Sequence, residues 1–281
     1  MPQFFNVIRA TIHEALIAEV PAVPVLPMGL PEPVHAVAAE SVRLLLDYQD
    51  ARLAQLYCDR LGRFVGRRGL DDAVYVEMAK QLAFRMAYLD AFRIAQLKLQ
   101  ELDMPGQKRG VDKRRFRIDE LTSSLPQILG DPLLWFFDGC RASHRTLAFR
   151  FSTASRIGVV RLRMTAWLRR WRKLSVRYET ERRWAERWLH MIERCRVKRP
   201  EAVFAVVQTA TMIEGYGTGY RHSVAAWHQI IDGLVKPVLD GTLDLPDLPM
   251  VIAEARDAPR DPRGDVLREL IQQILSRPRV A

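Results

Sequence analysis

Apolar residues recur at helical spacing along most of this chain, and a run of prolines interrupts the pattern near its start. Phe4, Ile8 and Ile12 share one face of a helix predicted over residues 1–18. The prolines that follow are Pro21, Pro24, Pro27, Pro31 and Pro33. Because proline lacks the backbone N–H that a helix needs, this cluster predicts an extended strap between an N-terminal amphipathic helix and the main body.

Longer helical patterns follow the strap. Apolar positions predict one helix over residues 34–64 and another over residues 71–99, which Asp71 and Asp72 would cap. Glycine-containing turns end both helices, so the two would form an antiparallel hairpin. Residues 107–132 are basic and broken by prolines, which predicts a long connection. Almost no segment has a pattern typical of a strand.

Helices predicted over residues 160–174 and 184–195 contain four of the six tryptophans: Trp167, Trp171, Trp184 and Trp188. In both helices the tryptophans share a stripe with aliphatic residues, and such aromatic residues more often belong to the core. We therefore interpret all four as buried. Stacking on nucleic-acid bases or contact with a membrane surface would instead need them exposed.

The remaining apolar patterns predict helices over residues 201–213, 224–234 and 266–275. A glycine turn separates the first two and consists of Gly215, Tyr216, Gly217 and Gly219. We interpret it as a structural turn, because a phosphate-binding loop would follow a strand and continue with a lysine.

These elements together predict an all-α fold, in which a bundle of long helices follows the N-terminal helix and the strap. We place the N-terminal helix and linker at residues 1–33, the helical domain at 34–245 and a C-terminal tail with a short helix at 246–281.

Positive charge is concentrated in residues 141–200. This stretch holds 18 of the 43 Lys and Arg but only 4 of the 33 Asp and Glu, a net charge of +14 in a chain of net charge +10. Nucleic acid, anionic lipid and acidic protein all bind basic surfaces, so charge alone does not identify the partner. We expect the partner to be contacted by the cations beside the apolar stripe of the helix predicted over residues 160–174. These are Arg161, Arg163, Arg169, Arg170, Arg172 and Lys173.

Few residues in this sequence are suited to chemistry. The three cysteines are too far apart for a disulfide framework or a metal site, which favours a reducing cytoplasm. No two histidines have the spacing of metal ligands on one helix face, and we interpret Asp47 and Asp50 as ion-paired. We therefore predict no catalytic, metal-binding or cofactor-binding residue in this chain, and no transmembrane segment.

Four segments, in order along the chain, have a character typical of one known family. They are PEPVHAVAAESVRLLLDYQDARLAQLYCDRL at residues 31–61, MAYLDAFRIAQLKL at 86–99, LRMTAWLRRWRKLSVRYETERRWAERWLHMIERC at 162–195 and IEGYGTGY at 213–220. Together they resemble the C-terminal region of the beta subunit of indolepyruvate oxidoreductase, one of the 2-oxoacid:acceptor oxidoreductases. The turn departs from the family, which tends to continue with Asp, Thr and His where this chain has Thr218, Gly219 and Tyr220.

The resemblance implies a helical accessory subunit or domain that docks on the catalytic subunit of such an oxidoreductase. In that family the large subunit holds thiamine diphosphate and iron–sulfur clusters, so these cofactors are expected in the partner. The family's beta subunit also has an N-terminal oxidoreductase domain with a GGQG turn. We expect the accessory part alone here, with that domain as a possible separate partner.

Two other hypotheses remain open from the sequence. The basic segment suggests a nucleic-acid-binding helical protein as the alternative. A self-contained enzyme of unfamiliar type is the third hypothesis, and it would use a cleft near the glycine turn with His222 and His228.

Overall fold

The computed structural model describes residues 23–106, 110–117, 146–214, 218–259, 261 and 263–277. The helix predicted over residues 1–18 lies outside the described residues, as do Gly215, Tyr216 and Gly217 of the predicted turn. The described chain is mostly helical and contains one small two-stranded sheet, so the predicted all-α fold is confirmed.

The α-helices, in chain order, are α1 (Glu32–Tyr48), α2 (Ala51–Gly62), α3 (Asp72–Met86), α4 (Ala91–Asp103), α5 (Arg156–Trp167), α6 (Val176–Lys198), α7 (Val203–Gln208), α8 (Thr218–Ile230), α9 (Lys236–Asp240), α10 (Leu248–Arg256) and α11 (Asp265–Ser276). Shorter helical segments connect some of them. These are 3-10 turns at Leu168–Leu174, Pro200–Ala202 and Thr209–Met212, and a π turn at Ile231–Val235.

An aspartate divides each of the two long helices predicted before residue 100, giving α1 and α2, and α3 and α4. Asp50 accepts a hydrogen bond from the backbone N–H of Leu53 (2.9 Å), and Asp90 accepts one from that of Arg93 (2.7 Å). A side chain that satisfies these N–H groups starts a new helix, so the prediction of two uninterrupted helices is wrong. The cap predicted at Asp71 is confirmed.

The sheet was not predicted from the sequence. Strands β1 (Val111–Arg117) and β2 (Thr146–Ser152) pair antiparallel, with Val111 opposite Ser152 and Arg117 opposite Thr146. Strand β1 lies within the segment predicted as a connection. In β2 the residues Leu147, Phe149 and Phe151 alternate with smaller or polar ones, which is the period of a strand and a signal that was missed.

The chain folds as two compact units, each described here by itself. Unit 1 comprises Met1–Val25, Val42–Leu56 and Leu89–Thr180, and unit 2 comprises Leu26–Ser41, Tyr57–Tyr88 and Glu181–Ala281. The domain ranges derived from the sequence stay a prediction.

The core of unit 1 forms where α4, α5 and strand β2 meet. Its buried members are Ala91, Ile94, Ala95, Phe151 and Leu162, and Leu99 and Ala166 pack against them. Three of these seven side chains are alanines, so the elements approach closely.

Tyrosines connect α2 to α3 within unit 2. The hydroxyl of Tyr57 donates to the carbonyl of Ala79 (3.2 Å), and that of Tyr75 donates to the carbonyl of Leu61 (2.7 Å). Burial raises the pKa of both phenols, so they stay protonated and act as donors.

The later part of unit 2 is more segmented than predicted. The helix predicted over residues 201–213 is α7 with a 3-10 turn on each side, and that at 224–234 is the end of α8 followed by the π turn. The terminal helix predicted at 266–275 is confirmed as α11, but α10 was missed. Three of its side chains are essentially inaccessible to solvent: Leu248, Ile252 and Ala255.

Candidate docking surface

Helix α5 in unit 1 has two apolar stripes, and the larger one is exposed. Five of its side chains recur at helical spacing, with Leu168 contributed by the turn that follows. The exposed fractions are 69% for Ile157, 54% for Val160, 65% for Met164, 48% for Trp167 and 39% for Leu168. We call these five residues the α5 stripe. Trp167 was predicted to lie in the core together with Val160, Met164 and Leu168, and for these four residues the prediction is wrong.

The smaller stripe is buried because it allows α5 to come close to strand β2. Gly158 and Leu162 lie on it, and Leu162 is buried in the core of unit 1. A Cβ atom at Gly158 would lie 2.4 Å from the carbonyl oxygen of Ser152, a distance that no real contact allows. Only glycine permits this approach, whereas the bulky side chains of the α5 stripe would hold the helix away.

Arginines border the α5 stripe on both sides. Because the helix has about 3.6 residues per turn, Arg161 lies along one edge of the stripe and Arg163 lies along the other. Both side chains are exposed, as is that of Arg170, whose guanidinium lies 5.6 Å from the ring centroid of Trp167. Three of the six predicted partner-contacting cations therefore surround an exposed apolar surface.

A hollow of about 310 Å³ adjoins the stripe and brings several of the predicted cations together. Arg169 lies half buried in its wall and donates to the carbonyl of Asp47 (3.0 Å). Burial lowers the pKa of Arg169, and so do the charges of Arg172 and Arg170, against the opposing charge of Asp47. An anionic group in the hollow would relieve this repulsion. Lining residues include Asp47, Arg163, Trp167, Arg169 and Arg170.

Arg172 lies in the interior, so its predicted place on the partner-facing surface is wrong. Its side chain is 1% exposed and forms a two-pronged ion pair with Asp90, at 2.6 Å and 2.9 Å. It also donates to the carbonyl of Tyr48 (2.9 Å) and to the side chain of Gln49 (2.7 Å). The guanidinium lies 3.9 Å from the ring centroid of Tyr48. Arg172 therefore joins the end of α1 to the start of α4.

Lys173, Asp47 and Asp50 all take part in ion pairs. Lys173 is half buried and lies 2.5 Å from Asp50, and Arg93 lies 2.7 Å from Asp47. The interpretation of Asp47 and Asp50 as ion-paired residues is confirmed, although their partners come from distant parts of the sequence.

The tryptophans of α6 in unit 2 are buried, as predicted for them. Trp184 and Trp188 are 4% and 0% exposed, and their ring centroids lie 5.8 Å apart. The indole N–H of Trp188 donates to the carbonyl of Val206 (3.2 Å), and that of Trp227 donates to the hydroxyl of Thr209 (3.0 Å). Base stacking would require these two α6 tryptophans to leave the core.

Carboxylates from other parts of unit 2 pair with two of the cations of α6. Arg194 pairs with Asp240, and Arg187 pairs with Asp232. Glu186 accepts from both Arg60 (2.9 Å) and Arg63 (2.6 Å). Part of the positive charge of α6 is therefore balanced by carboxylates that are distant in the sequence, while Glu186 of the same helix balances two arginines from elsewhere in unit 2.

Of the residues predicted around the glycine turn, Gly219 and His222 line one cavity, whereas His228 does not line it. Gly219 lies in the first turn of α8, not in the preceding turn, so its predicted place is wrong. His228 lies 2.9 Å from a terminal nitrogen of Arg187. Burial, followed by the Arg187 charge, lowers the pKa of His228 despite the opposing charge of Asp232. His222 and Gly219 instead line a cavity of about 360 Å³ in unit 2.

Two of the three cysteines lie in the described residues, and both are buried free thiols. Burial raises the pKa of Cys58 to about 11 and that of Cys195 to about 12, so neither is a reactive thiolate near neutral pH. Within the described residues no group of three His, Cys, Asp or Glu side chains could hold a metal ion. None of the described helices is long and apolar enough to cross a membrane.

Comparison with protein families finds one match that covers most of the chain. Residues 34–233 match a family described as a family of unknown function, DUF6537. The chain belongs to this family. The DUF6537 match includes α5, the α5 stripe and α6, and it ends within the π turn. Comparisons with curated proteins and with solved structures gave no match.

Proposed function

We propose that this protein is a non-catalytic accessory subunit or domain of an indolepyruvate-type 2-oxoacid:acceptor oxidoreductase. In this proposal the α5 stripe and its flanking arginines dock on the catalytic subunit, which holds thiamine diphosphate and iron–sulfur clusters. The ordered resemblance of four segments supports the choice of partner. The third of these segments, residues 162–195, includes the second half of the α5 stripe.

The exposed α5 stripe is the observation that carries the docking role. Large apolar side chains that are exposed together mark interaction sites in soluble proteins. Its arginine border is typical of a protein interface, where arginine and tryptophan are enriched. Arg163 and Arg170 would meet acidic residues of the partner at the rim.

Affinity purification of the tagged full chain from its native cells tests this proposal. Nuclease and moderate salt would be present, and mass spectrometry would identify the proteins that remain bound. We expect a thiamine- and cluster-binding subunit to be recovered. Proteins that are lost on nuclease treatment would instead support the nucleic-acid alternative.

Two further measurements separate the accessory role from its competitors. The purified chain, supplied with 2-oxoacids, thiamine diphosphate, coenzyme A and an electron acceptor, should show no turnover. Thiamine-dependent turnover by the chain alone would contradict the accessory role. Binding to phosphatidylserine vesicles through the α5 stripe, with no protein recovered from cells, would assign the surface to a membrane.

A further inference from the structure

The hollow beside the α5 stripe has the features of a small-ligand site. Its volume of about 310 Å³ is within the range of about 300–1,000 Å³ that such sites occupy. Its walls come from one face of α4, one face of α5, the turn after α5 and the end of α1. All of its lining residues belong to unit 1 and to the described part of the chain.

Three arginines give the hollow its positive charge: Arg163, Arg169 and Arg170. Arg169 donates to the backbone carbonyl of Asp47 (3.0 Å), and Arg170 lies over the ring of Trp167. Among the described residues, no carboxylate lies within ion-pair distance of any of the three guanidinium groups. Guanidinium groups with available donors prefer a phosphate or a carboxylate.

The negative charge of Asp47, which also lines the hollow, is already balanced. One of its carboxylate oxygens lies 2.7 Å from Arg93, and the other accepts from the side-chain amide of Gln100 (2.8 Å). Asp50 lies outside the lining and pairs with Lys173. The hollow therefore keeps an excess of positive charge.

Packing within unit 1 holds the walls of the hollow in place. Leu99 and Ala166 pack against the core between α4 and α5. The amide of Gln96 donates to the carbonyls of Asp47 (3.1 Å) and Tyr48 (3.4 Å), which joins α4 to the end of α1. The Oε1 atom of Gln96 is buried, so this acceptor does not face an anion. Walls that are formed before a ligand arrives lower the entropy cost of binding.

The surroundings of Arg169 favour a ligand with more than one negative charge. Burial lowers the pKa of Arg169, and the charges of Arg172 and Arg170 add to this effect. An anion beside the guanidinium groups offsets their repulsion, and a dianion offsets it more than a carboxylate does. A phosphate group carries a charge of about −1.5 to −2 near neutral pH and has three acceptor oxygens, one for each arginine of the hollow.

We propose that the hollow binds the phosphate group of a small molecule, which is either inorganic phosphate or a phosphate ester. Arg169 contacts the phosphate from its half-buried position, and the exposed Arg163 and Arg170 contact it from the solvent side. The carbon part of an ester packs against Leu99 and Trp167. The hollow adjoins the α5 stripe, but binding is measured on the purified chain and does not depend on the oxidoreductase partner.

Isothermal titration calorimetry of the full chain, in about 150 mM potassium chloride, tests the proposal. The probes are phenyl phosphate, inorganic phosphate and phenyl sulfate, which has nearly the shape of phenyl phosphate but a single negative charge. We expect saturable binding of phenyl phosphate that is at least about tenfold tighter than that of phenyl sulfate. The proposal is overturned if neither phosphate probe binds, or if phenyl sulfate binds as tightly as phenyl phosphate.

Comparison of the two phosphate probes identifies the source of the phosphate group. Inorganic phosphate that binds at least as tightly as phenyl phosphate would identify the free ion as the ligand. Tighter binding of phenyl phosphate would identify an ester whose carbon part contacts Trp167 and Leu99. Either result supports the assignment of the hollow as a phosphate site.

Variants locate the binding in the hollow. Arg169→Gln and Arg163→Gln should each weaken phenyl phosphate binding at least about tenfold, and Arg163 is exposed, so its replacement leaves the core intact. Arg156→Gln is the matched control, because Arg156 is exposed at the start of α5 and lies outside the lining. Circular dichroism melts would verify that each variant is folded. An equal loss in Arg156→Gln, or no loss in either folded lining variant, would mean that phosphate binds by diffuse attraction and would overturn the assignment.

Discussion

Helix α5 in unit 1 exposes its largest apolar side chains, whereas helix α6 in unit 2 buries them. Met164 and Trp167 are 65% and 48% exposed, but Trp184 and Trp188 are 4% and 0% exposed. Both helices come from the same basic, tryptophan-containing part of the sequence. The difference arises from the space beside each helix, since α5 approaches β2 through Gly158, while the indoles on α6 stack with one another and one of them donates to a backbone carbonyl.

One arginine from each region shows the reverse order of exposure. Arg172, just after α5, is buried in an ion pair with Asp90, whereas Arg187 on α6 remains partly exposed beside Asp232. A buried guanidinium costs free energy unless its donors are satisfied, and four acceptor contacts satisfy those of Arg172. Of these two arginines, the one after α5 is therefore structural and the one on α6 is available to solvent, whereas Arg161, Arg163 and Arg170 around the α5 stripe remain exposed.

Replacing one tryptophan from each region should give the largest difference in the free energy of unfolding. We expect Trp188→Ala to lower the free energy of unfolding by about 4 kcal/mol, because it leaves a large cavity in a core. Trp167→Ala should change it by less than about 0.5 kcal/mol, because half of its side chain is already exposed. Guanidinium denaturation would measure both. Equal losses would mean that Trp167 is as important to packing as Trp188.

Replacing the arginines should give the next largest difference in the free energy of unfolding. We expect Arg172→Met to lower the free energy of unfolding by about 3 kcal/mol, because the buried carboxylate of Asp90 loses its partner. Arg170→Met is the matched control on the exposed surface, and we expect a change below about 0.5 kcal/mol. Urea denaturation would measure the free energy of unfolding of both variants. A neutral Arg172→Met would indicate that Asp90 finds another partner.

Periodicity predicted helices at α5 and α6 and the buried stripe of α6, but it did not determine which stripe of α5 is buried. For α6 one stripe is clearly the more apolar, and burial follows it. For α5 the buried residues are Gly158 and Leu162, with Ala166 partly buried, because the approach of the helix depends on side-chain size and on β2. Because strand β2 was not predicted from the sequence, the side of α5 that packs against it was not predicted either.

Charge was also only partly predictable from sequence. The count of cations predicted a basic surface, and Arg161, Arg163 and Arg170 do lie exposed. It could not predict Arg172, because its partner Asp90 is 82 residues away in the sequence. The sequence suggested a cleft with His222 near the glycine turn, but it could not predict the other lining residues of that cavity, since they come from separate helices and loops.

Substituting one exposed methionine in each unit would test whether the partner binds the α5 stripe and not another exposed apolar surface. Met164→Glu places a negative charge in the middle of the α5 stripe, and we expect retention of the proposed catalytic subunit to fall at least about tenfold. Met250→Glu, on α10, is the matched control, because Met250 is 56% exposed and lies in unit 2. Co-purification from native cells would compare the two. Loss of the partner in both variants, or in neither, would contradict docking through the α5 stripe.

The smallest effect should be the pH dependence contributed by Glu186 on α6. Burial acts to raise its pKa, but the hydrogen bonds and charges of Arg63 and Arg60 outweigh this and lower it. A lowered folded-state pKa stabilises the protein above the pKa of the unfolded chain, and this stabilisation is lost as the pH falls through the folded-state value. We expect no more than about 1 kcal/mol, because solvent screens a partly exposed pair.

Denaturation of wild type and Glu186→Gln at about pH 7 and about pH 3.5 would measure this contribution. The difference in unfolding free energy between the two proteins should shrink at the lower pH, where the wild-type carboxylate becomes protonated. Glu269→Gln is the control, because Glu269 is exposed on α11 and forms no ion pair with any described residue. If the difference at Glu186 were the same at both pH values, its arginine partners would not stabilise the folded state through charge. Arg60 would then act on α6 through packing alone.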